Sequence, residues 1–332
     1  MIPSTPQDRW TIPLICCLLA FLAGCGGEPV PQERLNFERQ GRDVPVFNAD
    51  SAYHYIRQQV EFGPRNPGSE GHRLTKAYLI GKLAEAAGER RVFAQHFTHV
   101  GYQGDTLRMS NIIAAFNPSA SDRIMLCAHW DTRPRAEKDP DAPDKPIVGA
   151  DDGGSGVAVL LELARLFKDT PPPIGVDLVL FDGEDYGKEG EMDRYFLGSR
   201  YWANNPPVKG YSPRFGILLD MVGGQNAQFP KEKNSLHFAP ALVNELWQIA
   251  EEKGYSDLFV EQEGAAISDD HVVINRILGI PTIDIIRHQR GSDSSVQFAP
   301  YWHTHNDDMD IISRETLKAV GEVLTELIYN RV

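Results

Sequence analysis

The sequence predicts a three-layer α/β sandwich with a central mixed, mostly parallel sheet. Three observations predict it. From about residue 91 onward, strand-like and helix-like patterns alternate. Several of the strands are nearly continuous apolar runs, such as Val176–Phe181 and Ile283–Ile286, of the kind a sheet covered on both faces requires. The residues capable of chemistry, His129, Glu184, Asp185 and Asp220, fall at or just after the carboxyl ends of those strands, the edge of an open α/β sheet where ligands bind.

Two helices are expected ahead of the sheet. Asp50 or Ser51 can cap the first, which runs through Tyr53, Ile56 and Val60. The turn-rich stretch Phe62-Gly63-Pro64-Arg65-Asn66-Pro67-Gly68-Ser69 follows. Ser69 can cap a second helix through Leu74, Tyr78, Leu79 and Leu83, which stops at Gly88. Strands are expected at 91–100, 109–116, 123–129, 175–182, 214–221 and 280–286. Helices are expected at 154–168, 195–204, 240–253, 270–278 and 313–330. The sequence shows no internal repeat and no sign of a second domain.

The amino terminus reads as a targeting signal. Trp10–Ala23 is an apolar run interrupted only by Thr11 and Pro13, and positive Arg9 precedes it. It is too short to cross a ~30 Å hydrocarbon core, which needs about 20 helical residues, but it suits a signal-peptide core. It ends in Leu22-Ala23-Gly24-Cys25, which resembles the bacterial lipoprotein box, with Cys25 as the lipidated residue. The expected organisation is a signal peptide at 1–24, a charged, Pro-containing tether at 25–48 and a catalytic domain at 49–332. This implies secretion across the inner membrane and residence on the periplasmic face of a bacterial membrane, held by acyl chains and not by a spanning helix.

A formal net charge of -13 argues against non-specific binding to nucleic acid, which needs basic groups to displace counterions from phosphate. Cysteines stand at 16, 17, 25 and 127, so cleavage before Cys25 leaves two and no disulfide framework.

Four segments carry acids or histidines together: Cys127-Ala128-His129-Trp130-Asp131; Gly149-Ala150-Asp151-Asp152-Gly153-Gly154-Ser155-Gly156; Phe181-Asp182-Gly183-Glu184-Asp185; and Tyr301-Trp302-His303-Thr304-His305. Carboxylate with imidazole suits zinc, and a catalytic zinc takes three protein ligands and keeps one position open. Each segment alone has an ordinary reading: Asp152 as a helix cap, Glu184-Asp185 as a solvated turn. Their weight comes from recurring at successive strand ends. By the same reading Asp131 orients His129 or a loop, Asp151 is a solvated residue, His271 is a hydrogen-bonding helix residue, and His305 neighbours His303.

These segments resemble the co-catalytic zinc aminopeptidases and their relatives, the animal-type glutaminyl cyclases. The resemblance runs from about residue 50 to the end. It implies the zinc aminopeptidase (phosphorylase/hydrolase-like) fold, with Asp152, Asp185 and His303 as metal ligands and Glu184 as catalytic acid/base. Asp185 departs from the pattern, since most relatives carry Glu there.

Two reactions remain open. A two-metal aminopeptidase would add His129 and Asp220 as ligands of a second zinc. Three features lean towards glutaminyl cyclase: the Phe62–His72 segment; Ser268-Asp269-Asp270-His271, which places an acid at 269; and Trp302 before His303. The absence of Trp from 186–195 leans the other way. The resemblance therefore implies one zinc, Glu184, Asp220 and Asp269 as catalytic residues, Trp302 as a wall of the substrate pocket, and peptide or protein amino termini as substrates. The remaining possibility is an inactive peptidase-like binding module.

Overall fold

In the computed structural model of the chain, residues 35 and 37–332 except 294 are described. The expected signal peptide and Cys25 lie outside the described residues. The elements in order are α1 (Ala49–Glu61), α2 (Glu70–Ala87), β1 (Val92–Val100), β2 (Thr106–Phe116), β3 (Arg123–His129), α3 (Gly154–Asp169), β4 (Gly175–Phe181), α4 (Leu197–Asn204) and β5 (Gly216–Asp220). They continue with β6 (Phe229–Lys231), α5 (Lys233–Phe238), α6 (Pro240–Glu252), β7 (Phe259–Glu263), α7 (Asp270–Leu278), β8 (Thr282–Ile286), β9 (Gln289–Arg290), β10 (Val296–Gln297) and α8 (Arg314–Glu326).

The six-stranded sheet has the order β1-β2-β4-β3-β5-β8. β1–β2 and β2–β4 pair antiparallel, while β4–β3, β3–β5 and β5–β8 pair parallel. The expected mixed, mostly parallel sheet is what forms. Alternation along β3 sends Ile124, Leu126 and Ala128 into a core with α1, α2, α3, α6 and α8, and Met125 and Cys127 into a core with α4 and α7. Helices on both faces explain why β4 and β5 are buried along their whole length.

Two local readings change. The cap of α1 is Asn48, whose side chain accepts from Ser51 N; the capping candidates Asp50 and Ser51 lie inside the helix. Ser69 does cap α2, accepting from His72 N, and Gly88 (φ 92°) ends it. The short β6, β7, α5 and the β9–β10 hairpin were not expected; they are too short to carry a readable period.

The described part of the expected tether lies against the domain. Gln40 N donates to Asn330 O at 2.8 Å, and an Arg42 guanidinium N–H donates to Val332 O at 3.0 Å. Phe47 is buried, and the Phe37 ring packs on Phe215 at 5.9 Å. Residue 49 therefore marks the start of the first helix, not of the packed chain. None of the described helices is long and apolar enough to cross a membrane.

Candidate metal centre and active site

Parallel strands that stop together create the site. His129 is the last residue of β3, Asp220 the last of β5, and Glu184 and Asp185 occupy the turn after β4. Asp152 precedes α3. It does not cap that helix: the cap position is Gly153, in the left-handed region, with no side-chain bond to the first turn. The Asp152 carboxylate is thus left for other work. Gly153 is required there, because a Cβ would lie 2.5 Å from Asp131 O and 2.9 Å from the His129 ring.

Asp152, Asp185 and His303 come together, all buried, with donor atoms within 4.8 Å of one another. His303 Nε2 faces Asp152 Oδ2 at 3.8 Å and Asp185 Oδ1 at 3.6 Å. Asp185 Oδ2 is buried without a hydrogen-bond partner. Burial alone would make such an oxygen costly, so the atom calls for a cation. His303 sits at φ 57°, a conformation uncommon outside Gly that is maintained here by the Thr304 N to Tyr301 O turn and by Lys138 N donating to His303 O. One imidazole and two carboxylates around a pocketed opening form a donor set suited to zinc. His129 with Asp152 and Asp220 forms an adjoining group, with His129 Nε2 at 3.2 Å from Oδ1 of each acid.

The surrounding residues fix these donors. Asp131 accepts from Glu184 N at 3.0 Å and Asp185 N at 3.3 Å and stands 3.6 Å from His129 Nδ1, so it serves both the loop and the histidine. Asp307 accepts from Asp151 N at 2.7 Å and Asp152 N at 3.1 Å. Asp151, expected to be solvated, is fully buried, accepting from Gly223 N and Tyr301 Oη. The Phe62–His72 segment braces the same edge. Buried Arg65 donates to the carbonyls of Trp130, Val148 and Gly149, and His72 stacks on Trp130 and bonds Asp182. His305 turns to Asp139, with Nδ1 at 2.9 Å. His271 lies buried between Glu232 and Asp284, at 3.2 and 3.6 Å.

Glu184, Asp220, Asp269, Tyr195, Phe298 and Trp302 line one cleft beside the three donors, with about 130 Å³ of free space. That is below the ~300–1,000 Å³ of sites for drug-sized ligands and suits a single side chain. Trp302 stacks on His303 at 3.5 Å and meets Phe298 at 4.5 Å. Asp269 caps α7, accepting from Asp270 N at 2.5 Å. Burial drives the Glu184 carboxyl well up; His129 opposes this, and Asp185, Asp269 and Asp270 add to it. Burial also raises Asp220 to about 6, against His129 and with Asp152 and Asp151. Asp269 is raised by burial, then by Asp220 and Asp270. Asp185 goes the other way: burial opposes its ionisation, but Arg133 and His303 bring it to about 2. Carboxyls pushed apart in this way are a mark of acid–base sites.

The sequence reading missed Arg133, Glu137 and Asp307. Arg133 and Glu137 stand four apart directly after His129-Trp130-Asp131, where a charged pair beside candidate ligands was the available signal.

Residues 111–328 match the model of Peptidase family M28. Among solved structures, a Zn-dependent exopeptidase of Parabacteroides distasonis is 45% identical, with a TM-score of 0.83 covering 87% of this chain and 100% of that one. The glutaminyl cyclase of Bacteroides thetaiotaomicron, bound to N-acetylhistamine, is 46% identical with a TM-score of 0.81, covering 86% and 99%. The glutaminyl-peptide cyclotransferase of Bos taurus is 26% identical over 298 residues, 78% of this chain and 76% of that one. The matched region spans His129, Asp152, Glu184, Asp185, Asp220, Asp269 and His303, and the chain belongs to peptidase family M28.

Proposed function

We propose that this protein is a glutaminyl-peptide cyclotransferase: it converts the N-terminal glutamine of peptides and proteins to pyroglutamate and releases ammonia. Asp152, Asp185 and His303 hold one zinc ion. The observation that carries the reading is the acid wall opposite those ligands. Asp269, at the cap of α7, opens into the same small cleft as Asp220 and Glu184, with Trp302 stacked beside His303. The high identity to solved glutaminyl cyclases supports it.

Bound zinc supplies Lewis-acid polarisation of the side-chain amide carbonyl. The other work falls to the chain. The glutamine side chain enters the cleft against the wall formed by Trp302 and Phe298, whose packed rings exclude water on that side. Glu184, raised by burial, takes a proton from the substrate's α-nitrogen, whose lone pair then attacks the amide carbon. As the ring C–N bond forms and the amide C–N bond breaks, Glu184 returns the proton to the departing nitrogen, which leaves as ammonia. Asp220 and Asp269 line the same cleft, and the charge of Asp220 bears on Asp269. Burial disfavours ionising both neighbours at once, so the pair retains a proton.

The second reading is a zinc aminopeptidase, favoured by the His129–Asp152–Asp220 group, which matches the donors of a second metal. Mass spectrometry after incubation with a Gln-initiated and a Leu-initiated peptide separates the two. Loss of one ammonia from the Gln peptide alone is the cyclase outcome; free N-terminal amino acid sinks it.

The location we propose is the periplasmic face of a bacterial membrane, through lipid at Cys25. Leu22-Ala23-Gly24-Cys25 supports it. Phe37 packs on Phe215, at the end of β5 opposite Asp220, so the chain enters the domain away from the cleft. The domain boundary at residue 49 stands in this reading as the start of the catalytic fold. Cys25→Ser should move the protein from the membrane to the soluble fraction; an unchanged partition would refute the anchor.

A further inference from the structure

Arg133 closes a ring through two of the metal-ligating residues. Its side chain is fully buried. Nη1 donates to Asp185 Oδ1 at 2.6 Å and to the Asp185 carbonyl at 3.1 Å. Nε donates to Glu137 at 2.7 Å, and Nη2 donates to Tyr195 Oη at 2.9 Å and also meets Glu137. Glu137 Oε1 in turn stands 3.5 Å from His303 Nδ1, and His303 Nε2 stands 3.6 Å from Asp185 Oδ1. The circuit Asp185–Arg133–Glu137–His303 is closed, and all the guanidinium nitrogens face acceptors.

We propose that Arg133, acting with Glu137, is a positioning residue for the metal, holding Asp185 and His303 in ligating geometry before the ion arrives. Three physical points support this. Asp is one methylene shorter than Glu, so its reach depends on where its backbone is held; Arg133 grips both the side chain and the carbonyl of Asp185 and leaves Oδ2 without a partner. A carboxylate facing Nδ1 of a ligating histidine keeps the proton on that nitrogen and presents Nε2 to the metal. A buried arginine alone would repel a cation, but Glu137 offsets its charge, so the ring orients ligands without weakening the site electrostatically.

The adjoining His129 group lacks such a ring. Its Nδ1 stands 3.6 Å from Asp131, much as His303 Nδ1 stands 3.5 Å from Glu137, and what this group lacks is an arginine holding its carboxylates. The arginine support is therefore confined to the Asp152, Asp185 and His303 group, through Asp185.

The inference rests on the ligand assignment above, and the test separates the two. Zinc affinity is measured on purified holoenzyme by chelator competition for wild type, Arg133→Met, Arg133→Lys, Glu137→Gln and Asp185→Ala. The absorption spectrum of the cobalt-substituted proteins gives a readout independent of turnover. Arg133→Met should bind zinc about 10- to 100-fold more weakly. Arg133→Lys should not restore it, since an ammonium cannot bridge both carboxylates as the planar fork does. Glu137→Gln should show a smaller loss and an altered cobalt spectrum, and a double variant combining Arg133→Met with Glu137→Gln should lose less than the sum. Wild-type affinity and spectrum in both Arg133→Met and Glu137→Gln would overturn the proposal. If Arg133→Met does not fold, wild-type behaviour of Glu137→Gln overturns it alone. Zinc retained in Asp185→Ala would overturn the ligand assignment instead, and the proposal with it.

Discussion

Asp131, two residues beyond the end of β3, accepts the backbone N–H of Glu184 at 3.0 Å and so fixes the turn that follows β4. The contact ties neighbouring parallel strands together at the edge where the chemistry sits. Asp131→Ala removes the acceptor for Glu184 and Asp185 and the carboxylate beside His129. Its kcat should fall by about 10- to 100-fold, the usual cost of losing such a supporting group. Steady-state kinetics together with zinc content would check it; unchanged kcat would show that the turn holds without Asp131.

Glu184→Gln keeps the shape of the cleft and removes the proton carrier. We expect kcat for ammonia release to fall by about 10²- to 10⁴-fold, the range for general acid–base catalysis. Zinc content and KM should stay near wild type, because Glu184 is not among the three donors. A variant that loses zinc as well would make Glu184 a ligand.

Asp269 carries two roles that substitution can separate. As the cap of α7 it stabilises the helix, and Asp269→Ala should cost about 1 kcal/mol in unfolding free energy. Asp269→Asn retains a capping oxygen but cannot share the proton with Asp220. Urea unfolding should place Asn close to wild type while its kcat falls with that of Ala. If Asn restores both, the acid is structural.

The sheet and most helices were legible because their apolar periods are long and strong. The site was legible in outline because its residues follow strand ends, a position visible in one dimension. The ring around Arg133 was not, since Glu137 meets His303 only after residues 166 positions apart in sequence come together. Asp151 was misread for the same reason: its partners Gly223 and Tyr301 come from distant loops. The Phe62–His72 segment looked diagnostic of the reaction, yet Arg65 and His72 brace Trp130 and the loop before Asp152. That task would serve either reaction equally.

Buried Glu232 provides a pH test away from the metal. Burial opposes its ionisation, but His271 and the backbone N–H groups of Ile267 and Asn234 hold it at about 2. A folded value below the unfolded one of about 4.3 means the ionised form is favoured by folding. That stability is fully present above the unfolded value and is lost as pH falls through about 2. Glu232→Gln should therefore be less stable than wild type by a few kcal/mol at pH 7. The gap should narrow steadily from pH 5 to pH 3 in calorimetry. A gap independent of pH would mean that the carboxylate is not the stabilising form.

The count of metal ions decides between the two reactions, and His129 and Asp185 divide the question. His129 belongs only to the second group of donors and Asp185 only to the first, while Asp152 is common to both. In the one-zinc cyclase, His129→Ala leaves the Asp152–Asp185–His303 set intact, and elemental analysis should still find one zinc per chain. Activity should fall only modestly, because His129 then acts as a neighbour that balances the charge of Asp152 and Asp220 at 3.2 Å. Asp185→Ala should empty the site and abolish ammonia release. In the two-metal aminopeptidase, wild type would carry two ions, and either substitution would remove one and end hydrolysis. Wild type with one zinc and an unchanged count in His129→Ala is the expected result. A fall from two ions to one on substituting His129 would favour the aminopeptidase reaction.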